Sequence, residues 1–273
     1  MRIEALIFDV DGTLADTEEA HRVAFNLAFQ RYQLGWVWKP PEYRELLKIT
    51  GGKERMAHYI EQLDVSAYER RRLSTIVPDI HAEKTRFYSS FVADGAVPLR
   101  EGVAALLDDA LTAGCKLAIA STTTAVNIDA LLRSTLGARG LGMFSAIACG
   151  DQVRAKKPAP DIYRLALRGL ALPPEHAIAF EDSPNGLAAA TSAGLWTVVT
   201  PTYWTEGGDF RAAGLVLPHL GSADKPLHGE PGRLLEDAAW LGLAELERRA
   251  RPERPAERGR IDAQRTVGEA SGR

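Results

Sequence analysis

Cysteine is scarce: only Cys115 and Cys149 occur in 273 residues. Each stands beside an expected buried strand, and neither has His or Cys neighbours at metal-ligand spacing. Two reduced, buried thiols in a cytoplasmic protein are expected, with no disulfide framework. Long apolar runs are missing too, since none approaches the ~18 residues that a membrane span requires. The chain begins directly in a strand-like segment, so no leader peptide is expected ahead of it. Strong charge of one sign is also absent. The formal net charge of −3 gives no argument for nucleic acid or another polyanion as partner. What is left is an ordinary globular composition with chain enough for about two domains.

What is present begins at the N-terminus. The apolar run Ile3-Glu4-Ala5-Leu6-Ile7-Phe8 leads straight into Asp9-Val10-Asp11-Gly12-Thr13. Residues two apart at the end of a strand point to the same side, so Asp9 and Asp11 present two acids to one small volume. Carboxylates that close repel unless a cation or a shared proton relieves them, and Gly12 lets a ligand approach the backbone. A calcium loop of the EF-hand kind would want glycine at the sixth and glutamate at the twelfth position from Asp9. Those places hold Leu14 and Ala20, and a strand precedes the motif, so the calcium loop is excluded.

After residue ~95 short apolar runs alternate with helical patterns. Strands are expected at Lys116–Ala120, Ala146–Ala148, Ala177–Phe180, Trp196–Val199 and Leu215–Leu217. Helices are expected near 102–113, 126–136, 161–170 and 185–193, which makes βαβ units and a parallel sheet. The stretch between the first strand and this region differs. His21, Phe25, Ala28, Phe29 and Tyr32 fall at helical spacing, and Pro41–Lys48, Lys53–Leu63 and Ala67–Phe91 also read as helices. The expected fold class is therefore α/β, a Rossmann-like parallel sheet core with an inserted all-helical cap domain. Residues 1–16 and 96–221 would form the core and 17–95 the cap, a lid able to exclude water. Residues 222–273 would be an extension, with one amphipathic helix across Leu234–Leu246 and a disordered, charged segment from Arg251 onward.

Other strand ends carry polar residues. Ser121, Thr122 and Thr123 follow Lys116–Ala120, where their hydroxyls and amides suit a phosphate oxygen but suit helix capping as well. Lys157, in a proline-rich turn, is either a fixed cation for phosphate or part of a solvated basic pair. Glu181-Asp182-Ser183-Pro184-Asn185-Gly186 adds two acids, completing an all-oxygen set of the kind that Mg²⁺ prefers.

DVDGT, the Ser/Thr-ended second strand, KPAPDIY and EDSPNG stand in the order of the haloacid dehalogenase-like phosphohydrolase superfamily, which the chain resembles over residues 1–218. The helical insert makes it similar to the branch containing β-phosphoglucomutase and small sugar-phosphate phosphatases. The segments EYRELL, TGGKER and DIHAEKT resemble those of CbbY-type xylulose-1,5-bisphosphate phosphatases. The resemblance implies Asp9 as nucleophile, Asp11 as general acid and base, and Mg²⁺ bound by Asp9, the Asp11 main-chain oxygen and Asp182. Glu181 and Asn185 would stand behind the metal, while Lys157 and Ser121–Thr123 would hold the transferring phosphoryl group. In the cap, Arg55, Lys53, His81 and Lys84 would supply cations for a second phosphate with Gly51 and Gly52 offering amides, and Glu18 and Tyr43 would bond sugar hydroxyls. A small sugar phosphate is thus the expected partner of a monomer, with neither nucleic acid nor membrane. His21, four residues beyond Thr17, keeps a β-phosphoglucomutase-like isomerase as the alternative, together with phosphatases of other small esters such as phosphoglycolate.

Overall fold

The computed structural model describes residues 2–236 and 238–250. In chain order the elements are β1 (Ala5–Phe8), α1 (Glu18–Arg31), α2 (Pro40–Leu46), α3 (Gly52–Glu61), α4 (Ala67–Ala93), α5 (Val103–Thr112), β2 (Lys116–Ala120) and α6 (Ala125–Leu136). There follow β3 (Phe144–Ala148), α7 (Asp161–Leu170), β4 (Ala177–Glu181), α8 (Pro184–Ser192), β5 (Trp196–Val199), β6 (Leu215–Val216), α9 (Glu230–Leu234) and α10 (Leu243–Arg249).

The strands form one parallel sheet in the order β3-β2-β1-β4-β5-β6, the mixed α/β architecture expected of the sequence. β1 lies at its centre, buried along its whole length, as a strand covered on both faces must be. It pairs with β2 on one side (Phe8 opposite Ile119) and with β4 on the other (Phe8 opposite Phe180). The chain runs outward from β1 to β3, then returns to β4 and runs the other way. The switch point lies between β1 and β4, where open α/β sheets bind ligands outside the strands' carboxyl ends. Asp9 and Glu181-Asp182 occupy those two ends.

The two faces of the sheet are unlike. Leu6, Phe8, Leu117, Ile119, Ile178, Phe180 and Val198 face α5 and α6 with large side chains, and Phe8 stacks on Phe180 at 4.5 Å. Ala5, Ala118, Ala120, Ala177 and Ala179 face the other way and admit α7 and α8 closely. Gly169 of α7 shows how closely, since a Cβ there would lie 2.8 Å from that of Ala146.

α1 to α4 contain no strand among the described residues and build their own apolar cluster around Phe25, Phe29, Trp38, Tyr43, Met56 and Ile60. α4 runs unbroken through Pro78. Trp204, from the segment after β5, joins this cluster across the gap between the layers.

The single helix expected over Leu234–Leu246 is not formed. α9 ends at Leu234 and α10 starts at Leu243 because the backbone between them bonds elsewhere. Leu227 N–H donates to Ala239 O (2.7 Å) and Leu241 N–H to Leu220 O (2.7 Å), while Asp109 Oδ2 accepts from Leu243 N–H (2.8 Å). Leu227, Leu235, Leu241, Leu243 and Leu246 belong to the same apolar cluster as β1 and α5. The expectation of disorder from Arg251 onward lies outside the described residues.

Leu246 is fully buried, so Leu246→Ala should lower stability by about 2–5 kcal/mol, the cost of a core cavity. Urea denaturation checks this, and a change under about 0.5 kcal/mol would place α10 outside the cooperative core.

Candidate active site

Asp9 is the first residue past β1 and only 6% exposed. Its backbone N–H continues the ladder to Phe180 O (3.0 Å), which fixes the depth of its side chain. Lys157 reaches in from the loop before α7 and donates to Asp9 Oδ1 (2.6 Å) and Glu181 Oε1 (2.5 Å). Tyr163, on α7, donates to the same Glu181 oxygen (2.5 Å). Carboxylate oxygens of Asp9, Glu181 and Asp182 lie within 4.8 Å of one another. Two glycines permit this crowding. Gly12 has φ +82°, and a Cβ there would stand 2.3 Å from Asp182 Oδ2; a Cβ at Gly186 would overlap Glu181 Oε2 at 1.8 Å.

Burial pushes the Asp9 carboxyl up to about 7 against the pull of Lys157, with the charges of Glu181 and Asp11 adding to the rise. Burial also lifts Asp182 well above the carboxylate range, helped by Asp9 and Glu181. Burial opposes the charge of Lys157, yet Asp9 and Glu181 carry it above the ordinary lysine value. Three acids against one buried lysine leave unbalanced negative charge in an all-oxygen cluster, and that donor set fits a hard divalent cation.

Asp11 faces a different neighbourhood. Its Oδ1 accepts from Thr17 Oγ1 (2.6 Å) and meets His21 Nε2 (2.8 Å), while His21 Nδ1 lies 2.5 Å from Lys84 Nζ. An ammonium at Lys84 can only donate, so Nδ1 accepts and the Nε2 proton points to Asp11. His21 stacks on Tyr88 at 4.0 Å, and Lys84 lies over the rings of Phe25 and Tyr88. Burial would raise Asp11, but His21, Thr17 and Lys84 hold it at about 2. Burial lowers Lys84 to about 8 in spite of Asp11 and Glu18. Lys84, expected to supply a cation for a second phosphate, is instead joined to His21 in a buried chain to Asp11. The i, i+4 spacings Thr17–His21 and Lys84–Tyr88 carried that signal, since such residues share a helix face.

Both layers line one cavity of about 710 Å³. Asp9, Asp11, Thr122, Thr123, Lys157, Asp182 and Asn185 border it from the core, and Glu18, Gly51, Gly52, Lys53, Arg55, His81 and Lys84 from the helices. Three expected residues do not. Ser121 turns inward, where its Oγ accepts from Thr123 N–H (3.3 Å); Thr124 does the capping of α6, which leaves Thr122 and Thr123 for the cavity. Glu181 is spent on Lys157 and Tyr163, behind Asp9. Tyr43 is fully buried: its hydroxyl donates to Glu18 Oε2 (2.9 Å) and accepts from Arg55 Nη1 (3.1 Å), so it orients those two and has no proton left for a sugar. His81 is likewise not the expected cation. Burial and the charges of Lys84, Lys53 and Lys156 push it down to about 3, and it is a neutral group against Gly52. Asn185 bridges the layers, donating to Lys48 O and Thr50 Oγ1 (both 3.0 Å).

A CbbY protein of Rhodobacter capsulatus is 49% identical to this chain over 223 residues, 82% of this chain and 96% of its own. The plasmid-borne CbbY of Cupriavidus necator is 49% identical over 245 residues, 89% of this chain and 95% of its own. Among solved structures, a mutant CbbY from Rhodobacter sphaeroides in complex with xylulose-(1,5)bisphosphate matches with a TM-score of 0.75 at 45% identity, covering 81% of this chain and 98% of that one. The profile of the haloacid dehalogenase-like hydrolases matches residues 3–194, and the chain belongs to that family.

Proposed function

We propose that this hydrolase is a Mg²⁺-dependent phosphatase that removes one phosphate from a small sugar bisphosphate, xylulose-1,5-bisphosphate, through an aspartyl-phosphate on Asp9. The observation that carries the reading is one cavity lined by Asp9, Asp182 and Lys157 from the core and by Arg55, Lys53 and the start of α3 from the helices. Relatives named as phosphatases of phosphorylated carbohydrates and the CbbY complex support a sugar phosphate as the ligand.

Asp9 would be the nucleophile. Lys157 occupies its Oδ1, leaving Oδ2 to form the bond to phosphorus. Mg²⁺, for which Asp9, Asp182 and the Asp11 main-chain oxygen are the holders, would keep Asp9 ionised and screen it from the phosphate. Thr122, Thr123 and Lys157 would take up the charge of the transferring group. Asp11 starts ionised, so the proton for the departing sugar oxygen must be delivered to it. An approaching phosphate dianion raises its proton affinity, and His21 Nε2–H is in contact. Lys84 would then protonate Nδ1, ending neutral. When water attacks the aspartyl-phosphate, its proton returns through Asp11 and His21 to Lys84, phosphate leaves, and Asp9 is restored.

The second phosphate has its own receptor. Gly51, at φ +97°, heads α3 with no side-chain cap, and first-turn amides there would take the anion, with the Glu54 carboxylate held aside by Lys156. Arg55 spends Nε on Leu46 O and Nη1 on Tyr43, and among the described residues no bond engages its Nη2. His21 does not favour the mutase, because an acid–base chain to Asp11 serves hydrolysis equally well.

Asp9→Asn should retain its circular dichroism and lose phosphate release roughly a thousandfold or more, as loss of an essential covalent step demands; near-normal turnover would refute the nucleophile. Arg55→Ala should lose about 30–150-fold on xylulose-1,5-bisphosphate, the worth of a charged hydrogen bond of ~2–3 kcal/mol, and much less on a monophosphate. Equal losses measured side by side would remove the bisphosphate assignment. The pH profile tests the proton chain. Lys84 is charged below about 8 and neutral above it, so kcat/KM should fall as pH rises through that value. Lys84→Met should show a low plateau without that fall; an unchanged alkaline limb would assign it to another group.

A further inference from the structure

Residues 200–208 leave the sheet after β5 and turn sharply. Thr202 N–H donates to Thr205 Oγ1 (2.9 Å), Glu206 N–H to Thr202 O (2.8 Å), and Trp204 N–H to Thr202 Oγ1 (3.2 Å). The base of the turn is pinned by Arg100, whose guanidinium donates to Thr200 O (2.6 Å), Pro201 O (3.1 Å) and Gly12 O, one residue from Asp11. The tip is not folded back on the core. Trp204 enters the apolar cluster of the helical layer, is 7% exposed, and meets Tyr43 edge-on at 5.6 Å. Beside it Arg44 of α2 lies over the Tyr203 ring at 5.5 Å and donates to Glu206 O.

We propose that residues 200–208 are a latch carried by the core, with Trp204 as a positioning residue for the reaction. Trp204 holds the helical layer over the cavity, and by packing against Tyr43 it sets Glu18 and Arg55, which meet the part of the substrate that does not react. Closure and substrate reading become one event, and Arg100 ties it to the loop that carries Asp11. Ala24, Tyr88 and Val92 root α1 and α4 in the core's apolar cluster, and on the side of α2 and α3 the other ties between the layers are poorer candidates for this role. The Lys156–Glu54 pair (2.8 Å) and the Asn185 bonds lie partly in solvent, where single polar contacts hold little, whereas a buried indole removes a large apolar area from water. The proposal rests on the sugar-phosphatase reading for its substrate arm only.

The test compares Trp204→Ala and Trp204→Phe with the parent protein in two measurements. The first is kcat/KM on xylulose-1,5-bisphosphate and on p-nitrophenyl phosphate, which has no sugar for Glu18 and Arg55 to meet. Misplacement of groups that position a substrate costs on the order of 10²-fold, so Trp204→Ala should lose about that much on the bisphosphate and at least about tenfold less on the aryl ester. The second is hydrogen exchange of the amides of α2 and α3 without substrate, which should quicken in Trp204→Ala and return most of the way in Trp204→Phe. If Trp204→Ala does not fold, Trp204→Phe should show the same bias in smaller measure. Equal losses on the two esters, or unchanged exchange in α2 and α3, would overturn the latch. A parent protein inactive on every sugar phosphate would instead strike the functional reading, and the exchange measurement would still decide the latch.

Discussion

Lys157 reaches from the loop before α7 and joins Asp9 to Glu181, two acids carried by adjacent strands. The rest of the site depends on that bridge. Like charges ~4 Å apart repel by about 4 kcal/mol at an effective dielectric of ~20, and carboxylate oxygens of Asp9, Glu181 and Asp182 lie within 4.8 Å of one another. Removing one partner of a buried charge group is far more damaging than never having built it. The lysine therefore does for the resting protein part of what a divalent cation would complete. Tyr163 and the absent side chains of Gly12 and Gly186 make room and supply a hydrogen bond in the same cause. Structure and reactivity draw here on one electrostatic arrangement.

Asp9 and Asp11 stand two residues apart in the sequence and live in opposite electrostatic worlds. Asp9 shares its surroundings with other acids and one lysine, and burial raises its proton affinity. Asp11 is held by Thr17 and His21 from the helical layer, with Lys84 behind them, and its proton affinity falls. Neighbouring carboxylates driven apart in this way can take different roles, one forming bonds and the other handling protons. The division depends on the helices, since the core alone provides none of Thr17, His21 and Lys84.

How much of this was legible in the sequence follows from the range of the interactions. The strand order of functional motifs, Asp9, Asp11, Lys157, Glu181 and Asp182, lay in short local patterns whose backbone consequences are nearly fixed: a strand end, a rigid turn, a glycine. The α/β alternation was equally plain, because apolar periodicity is local. Tyr43 and His81 were misjudged for the opposite reason. Whether a hydroxyl faces a cavity or is saturated by Glu18 and Arg55 depends on how three helices meet, and nothing within any one of them records it. The break between α9 and α10 belongs to the same class. Its sequence is amphipathic, but Leu220, Leu227 and Asp109 compete for its backbone groups. Trp204 was invisible for want of any motif at all.

The central place of β1 in the sheet bears on how the molecule comes together during synthesis. β1 emerges first, yet its two partners, β2 and β4, begin at Lys116 and Ala177. Contacts that far apart in sequence form slowly, so the first strand waits while α1 to α4, whose partners are near in sequence, can gather around Trp38 and Phe29. Glu181 and Asp182 arrive on the late strand. A nascent chain short of β4 has neither the acid cluster nor a ladder partner on that edge of β1, and it exposes an apolar edge of the kind that invites aggregation. The acid cluster and the closure of that edge of β1 are therefore acquired in the same folding step.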